Sequence, residues 1–202
     1  MISKNAFLLL NGSRPKTLPD LSKYAIICAT DGAYKLLKEK SITPHFISGD
    51  FDSISEIPKD IEVIHTPNQE FTDFEKAIKI LLNMGITNVH VYGASGLSQD
   101  HFLGNLHVAI VFKNKIQITF FDDYQYYFLA KQTEKIKVKK GNIVSLVPVV
   151  ETKNIITKGL EYELENEDLV FGKRVGIRNK ATQNEFEICF SEGELFIFIE
   201  HE

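Results

Sequence analysis

Phe46-Ile47-Ser48-Gly49-Asp50-Phe51-Asp52-Ser53 reads as a short apolar strand that runs straight into two carboxylates at alternate positions. Comparable apolar runs recur at residues 6–10, 25–29, 61–64, 89–92 and 116–121, separated by turns or amphipathic stretches. Short apolar strands alternating with helical patterns read as a parallel sheet wound with helices. The clearest helix opens at Thr72-Asp73-Phe74-Glu75, a capping box in which the Thr72 hydroxyl and the Glu75 carboxylate satisfy free backbone amides. Phe74, Ala77, Ile78 and Leu81 fall on one face of it, and Asn83-Met84-Gly85 ends it. Further helices are expected from Asp31, with Leu36 and Leu37 inward, and from near Asp100, with Leu103, Leu106 and Ile110 inward.

Beyond Tyr124 the helical period disappears. Strand-like runs follow at residues 126–130, 143–147, 186–190 and 195–199, with a turn at Lys139-Lys140-Gly141-Asn142 and a hairpin connection expected at Ser191-Glu192-Gly193-Glu194. The expectation is an α/β domain over residues 1–125 with a mainly parallel sheet, followed by an all-β domain over 126–202. The 202 residues are 44% hydrophobic and 25% charged, a globular composition that excludes collagen-like and disordered chains. A net charge of −4 argues against a broad basic face for nucleic acid. Cys28, in an apolar run, reads as a buried reduced thiol, and no segment reads as a signal peptide or a membrane span. A cytoplasmic protein is the resulting expectation.

The two carboxylates of the opening stretch do not stand by themselves. Asp31 follows a different strand, Asp73 sits in the first turn of its helix, and Asp100 follows the loop Gly93-Ala94-Ser95-Gly96-Leu97-Ser98-Gln99. All can gather on the carboxyl edge of one sheet, where open α/β sheets bind ligands. Gly49 permits close backbone approach, and alternation can aim Asp50 and Asp52 at one point. Converging carboxylates repel unless a hard cation such as Mg²⁺ joins them to phosphate oxygens, so the pattern predicts a metal-phosphate site. Each piece also has a plainer account: Asp31 and Asp73 suit helix starts, Asp50 and Asp52 suit a solvated turn, and the 93–99 loop lacks the Walker lysine. Their conjunction favours the site.

These residues resemble the thiamine pyrophosphokinase family. Asp31-Gly32-Ala33 is similar to its Asp-Gly-Gly element, Gly49-Asp50-Phe51-Asp52-Ser53 to its Gly-Asp-Phe-Asp-Ser element, and Gln69 with Thr72-Asp73-Phe74-Glu75-Lys76-Ala77 to its third. Asp100-His101 resembles the fourth, and the segment Thr157-Lys158-Gly159-Leu160-Glu161-Tyr162-Glu163-Leu164, then Gly176 and Asn179, resembles those that help bind thiamine. Departures are Ala33 for glycine, Glu70 for aspartate, Arg178 for serine, and Leu97-Ser98 for the usual Gly-Arg. Serine cannot replace a guanidinium on phosphate oxygens; Lys35, Lys76, Arg174 and Arg178 are the candidates to stand in.

The resemblance implies an N-terminal α/β domain for nucleotide and Mg²⁺, a C-terminal β-sandwich, and a homodimer with thiamine between subunits. It implies transfer of diphosphate from ATP to the hydroxyl of thiamine, releasing AMP. Asp50, Asp52, Asp73 and Asp100 would hold Mg²⁺ directly or through water, with Asp73 or Asp100 also orienting the hydroxyl or taking its proton. Asp31, Gly32, Gly49, Ser53, Gly93, Ser95, Gly96 and His101 would bind nucleotide, and Gln69, Thr72 and Asn179 the acceptor. Two other functions fit the carboxylates: a diphosphokinase for another heterocyclic alcohol such as a hydroxymethylpterin, and a nucleotide-binding sensor without turnover.

Overall fold

A computed structural model describes residues 5–51 and 60–201. Contacts divide the chain into two compact units, Met1–Asp123 and Tyr124–Glu202. The first contains β1 (Asn5–Leu9), β2 (Ile26–Thr30), α1 (Tyr34–Glu39), β3 (Phe46–Gly49), β4 (Glu62–His65), α2 (Asp73–Asn83), β5 (Asn88–Tyr92), α3 (Gln99–Val111) and β6 (Gln117–Phe121). Its strands lie in the order β4-β3-β2-β1-β5-β6. Every neighbouring pair is parallel.

Burial on both faces explains why these strands are legible as apolar runs. Alternate residues Phe7, Leu9, Ala29 and Ile47 share a core cluster with Leu36 and Leu37 of α1. Leu8, Cys28 and Phe46, of opposite parity, are also buried, as are Phe74, Ala77, Ile78 and Leu81 along α2. The Phe74 ring meets Phe120 edge-on, with ring centroids 5.9 Å apart. The Thr72 hydroxyl caps α2 by accepting from the Glu75 amide at 3.2 Å, but the box is only half made: the Glu75 carboxylate turns to Lys79 Nζ at 2.9 Å.

Two expectations for this unit are corrected. Residues Asp31–Ala33 form a 3-10 turn, and α1 proper begins only at Tyr34. In α3 the buried residues are Val108 and Ala109, while Leu103 is 64% exposed. Phe102, Leu103, Leu106, Val108, Ala109, Ile110 and Val111 surround that helix almost completely, so spacing has no polar face from which to infer the inward one.

The second unit contains β7 (Gln125–Leu129), β8 (Thr133–Lys137), β9 (Ile143–Lys158), β10 (Glu165–Val170), β11 (Gly176–Lys180), β12 (Glu185–Cys189) and β13 (Glu192–Glu200). Strand β9, 16 residues long, organises it. Along one edge β9 pairs antiparallel with β13 at Val144–Lys153 register positions and then with β12 at Ile156 to Lys158. Along its other edge run β11, opposite Ile143 to Leu146, and β10, opposite Glu151 to Ile156. β7 pairs with β13 and β8 with β12.

The expected hairpin at 191–194 is therefore absent: Ser191 and Glu192 continue β12 into β13 along the same partner strand. Its turn-like composition instead serves an irregularity, with Gly193 at φ +95° beside a register shift. Val144 and Leu146 from one end of β9 share a core with Ile155 from the other, together with Ile136, Leu169, Phe186, Ile188 and Ile197.

The half-made capping box yields a test. Thr72→Ala should lower unfolding free energy by about 1 kcal/mol, whereas Glu75→Gln should change it far less. Urea denaturation of both variants checks this, and equal losses would mean that the carboxylate caps after all.

Candidate active site

The carboxyl ends of the parallel strands deliver the acidic residues to one edge. β2 leads into Asp31, β3 into Asp50, and β4 into the segment carrying Gln69 and Asp73; these three strands are neighbours. Asp31 is only 6% exposed. Its Oδ1 accepts from the Gly32 amide at 2.6 Å and its Oδ2 from the Phe51 amide at 3.0 Å, which ties the end of β2 to the end of β3. Gly49 is required by that approach, because a Cβ there would lie 2.5 Å from Asp31 Cγ.

Burial pushes the Asp31 carboxyl above its ordinary range; the Gly32 and Phe51 amides oppose the rise, and the charges of Asp73 and Asp50 add to it. Asp31 therefore senses the charges of Asp50 and Asp73. Each is also held locally. Asp50 Oδ2 accepts from Gln69 Nε2 at 3.1 Å. Asp73 Oδ1 lies 2.7 Å from Lys76 Nζ, and this ammonium, 8% exposed, also donates to the carbonyls of Thr66 at 2.8 Å and Asn68 at 3.2 Å. Lys76 thus pins both the β4 loop and the first turn of α2. Nearby, Thr66 N donates to Gly49 O at 2.8 Å, while the hydroxyls of Ser48 and Thr66 are buried and find no hydrogen-bond partner among the described residues.

Phe51 adopts φ +65°, an uncommon conformation for a bulky residue. The chain therefore leaves extended geometry at Phe51, directly after Asp50. Asp52 and Ser53 lie outside the described residues. Among the described residues no three carboxylate, imidazole or thiol groups stand close enough to share a metal ion. The donor set nonetheless suits a hard cation: oxygen ligands whose mutual repulsion a divalent charge would relieve.

The loop after β5 is shaped by its neighbour. Leu10 N donates to Tyr92 O, Gly12 N to Gly93 O and Ser13 N to Ser95 O, each at 2.8 Å. The left-handed positions are Gly93 and Gly96, not Leu97, whose side chain is exposed. Asn105 Nδ2 donates to Ala94 O at 2.8 Å and fixes the loop to α3. Asp100 and His101 are exposed in the first turn of α3, where Asp100 Oδ1 accepts from the His101 amide at 2.9 Å. Thr72 Oγ1 accepts from the Glu75 amide, leaving its O–H to donate.

In the second unit Asn179 is buried and its amide clasps a loop. Oδ1 accepts from the amides of Tyr162 at 3.0 Å and Lys180 at 2.8 Å, and Nδ2 donates to Tyr162 O at 2.7 Å. The Tyr162 ring on that loop is exposed. Of the cations proposed to stand in for an arginine at position 98, Lys76 is engaged as described, Arg174 pairs with Glu167, Arg178 with Glu200 at 2.6 Å, and Lys35 is exposed on α1. Sequence reading passed over Asn11-Gly12-Ser13-Arg14, which matches no short motif. The available signal was topological: β1 must neighbour β5 where the winding reverses.

Residues 19–120 match the thiamin pyrophosphokinase catalytic domain, and residues 131–195 the thiamin pyrophosphokinase vitamin B1 binding domain. The chain is 30% identical over 201 residues to thiamin pyrophosphokinase 1 of Caenorhabditis elegans, covering 91% of this chain and 82% of that one. It is 25% identical over 204 residues to thiamine pyrophosphokinase of Bacillus subtilis, covering 94% and 95%. The crystal structure of thiamine pyrophosphokinase from Bacillus subtilis superposes with a TM-score of 0.84 at 22% identity, covering 98% of this chain and 99% of that one.

Because a methyl at position 49 would strike the Asp31 carboxyl, Gly49→Ala should destabilise the protein by roughly 1–3 kcal/mol. Chemical denaturation measures it; wild-type stability would show that the Asp31 bridge yields without cost.

Proposed function

The chain belongs to the thiamin pyrophosphokinase family, and from that membership we infer its reaction: transfer of the β,γ-diphosphate of ATP to the hydroxyl of thiamine, giving thiamine diphosphate and AMP. The observation that carries this reading is the pair of family domains matched in order, catalytic then vitamin B1 binding, on a chain whose first half gathers Asp31, Asp50 and Asp73 at one sheet edge. The match over residues 131–195 disfavours another heterocyclic alcohol as acceptor.

The thiamine oxygen attacks the β-phosphorus in line, the bond from that phosphorus to the bridging oxygen of AMP breaks, and the hydroxyl proton passes to Asp73 or Asp100. Such transfers depend mostly on positioning and electrostatics. Asp50 and Asp73, with Asp52 and Asp100, are the residues that would hold Mg²⁺; when bound it supplies positive charge to the polyphosphate. Gln69 keeps Asp50 in place, and Lys76 does so for Asp73. Asp31 joins the strand ends beneath them and, with Gly32, Gly49, Ser53 and the Gly93, Ser95, Gly96 and His101 segment, forms the nucleotide side. Gln69, Thr72 and Asn179 serve the acceptor, Asn179 by holding the Tyr162 loop. We assign the antiparallel unit a β-sandwich form, since both ends of β9 line one core, and the protein a cytoplasmic homodimer.

AMP release tests the reaction. Purified protein with Mg²⁺ and ATP should form AMP only when thiamine is present; ATP binding without turnover would instead favour a sensor. Asp50→Asn should cut turnover on the order of a hundredfold with an unchanged circular dichroism spectrum. Asn179→Ala, which frees the Tyr162 loop, should raise the KM for thiamine and leave that for ATP near its original value. A change confined to ATP would misplace the acceptor side.

A further inference from the structure

The carboxyl edge of the parallel sheet is acid-rich, yet the reading above asks it to bind a polyanion. Asp31, Asp50, Asp73 and Asp100 all lie at that edge, so phosphate oxygens entering it need compensating positive charge from the protein as well as from metal. Of the described basic side chains near that edge, Lys76 in α2 is buried and engaged with Asp73 and two carbonyls, and Lys16 Nζ lies 3.8 Å from Asp123. Arg14 is differently placed. It lines a recess with Leu10, Asn11, Gly12, Gly32 and Ala33, at the carboxyl ends of β1 and β2.

The same loop is fastened to the β5 loop by Gly12 N to Gly93 O and Ser13 N to Ser95 O. β1 and β5 are the strands between which the winding reverses, the place where sheets of this kind open a ligand crevice. The recess also adjoins the Asp31-Gly32 turn: a Cβ on Gly32 would stand 2.4 Å from Asn11 Nδ2. Arg14 Nη1 pairs with Glu39 Oε2 at 2.7 Å, with both side chains largely exposed, and such pairs are held weakly. A guanidinium presents a planar fork that fits phosphate oxygens.

We propose that Arg14 is a phosphate-binding residue of this site, exchanging Glu39 for the polyphosphate of ATP when nucleotide binds at this edge of the sheet. The inference rests on the nucleotide assignment made above, but its test is separable from thiamine turnover. Binding of inorganic tripolyphosphate and of ATP, both in Mg²⁺, is measured by calorimetry for the full chain and for R14A, R14K and E39Q. R14A should weaken both ligands about ten- to a hundredfold, R14K should recover part of the loss, and E39Q, which removes the competing carboxylate, should tighten both.

R14A and E39Q break the same ion pair, so a purely structural role would make them fail alike; equal losses would overturn the proposal. Wild-type tripolyphosphate affinity in R14A would overturn it too. A protein that makes no AMP with thiamine, yet loses tripolyphosphate affinity in R14A, would lose the proposed reaction and keep the phosphate-binding residue.

Discussion

The Asp31 carboxylate, with the Gly32 amide on one oxygen and the Phe51 amide on the other, is the interaction around which the catalytic half is built. It joins the ends of two adjacent strands at the point where both must turn. The consequences follow in order: position 49 has no room for a side chain, Phe51 takes a left-handed backbone, and Asp50 emerges where Gln69 can reach it. A carboxyl group buried this far tolerates its charge only because the backbone supplies donors. The neighbouring charges of Asp50 and Asp73 work against it, so the anchor holds in a field that its own neighbours make unfavourable.

Much of the first unit was legible because burial on both sheet faces leaves short apolar runs that few other structures produce. The acidic residues were legible for a related reason: strands ending at one edge bring distant aspartates together regardless of what lies between. Helix α3 resisted reading because it is apolar nearly all round. β8, β10 and β11 resisted because Thr133–Lys137, Glu165–Val170 and Gly176–Lys180 are rich in polar and charged residues and owe their strand form to pairing with β12 or β9. Cross-strand partners decide such segments, and no local window contains them.

The site shows the same division. Asp31 and Asp50 are carboxylates directly after apolar strands and stand out in the sequence, whereas Gln69 stands out only through the family resemblance. Lys76 looks from sequence like an ordinary helix-surface lysine, since nothing local reveals that its ammonium reaches back to the Thr66 and Asn68 carbonyls. Asn179 stands out only by the family resemblance, and its hydrogen bonds do not: three commit its amide to the Tyr162 loop and Lys180. Side chains that act by arranging backbone leave little trace in residue type.

Strand β9 has a kinetic consequence. Its partners β10, β11, β12 and β13 are drawn from residues spread over a long following stretch, so few of its pairings are local. Loop-closure entropy must be overcome before most of those contacts form, and folds dominated by distant pairings reach their native state slowly. Until β12 and β13 arrive, one edge of β9 exposes unpaired amides and carbonyls, the condition under which strands associate with other chains. The antiparallel half is thereby exposed to association until its last strands pair, and the parallel half carries the same burden at the β1–β5 pairing, which joins Asn5–Leu9 to Asn88–Tyr92.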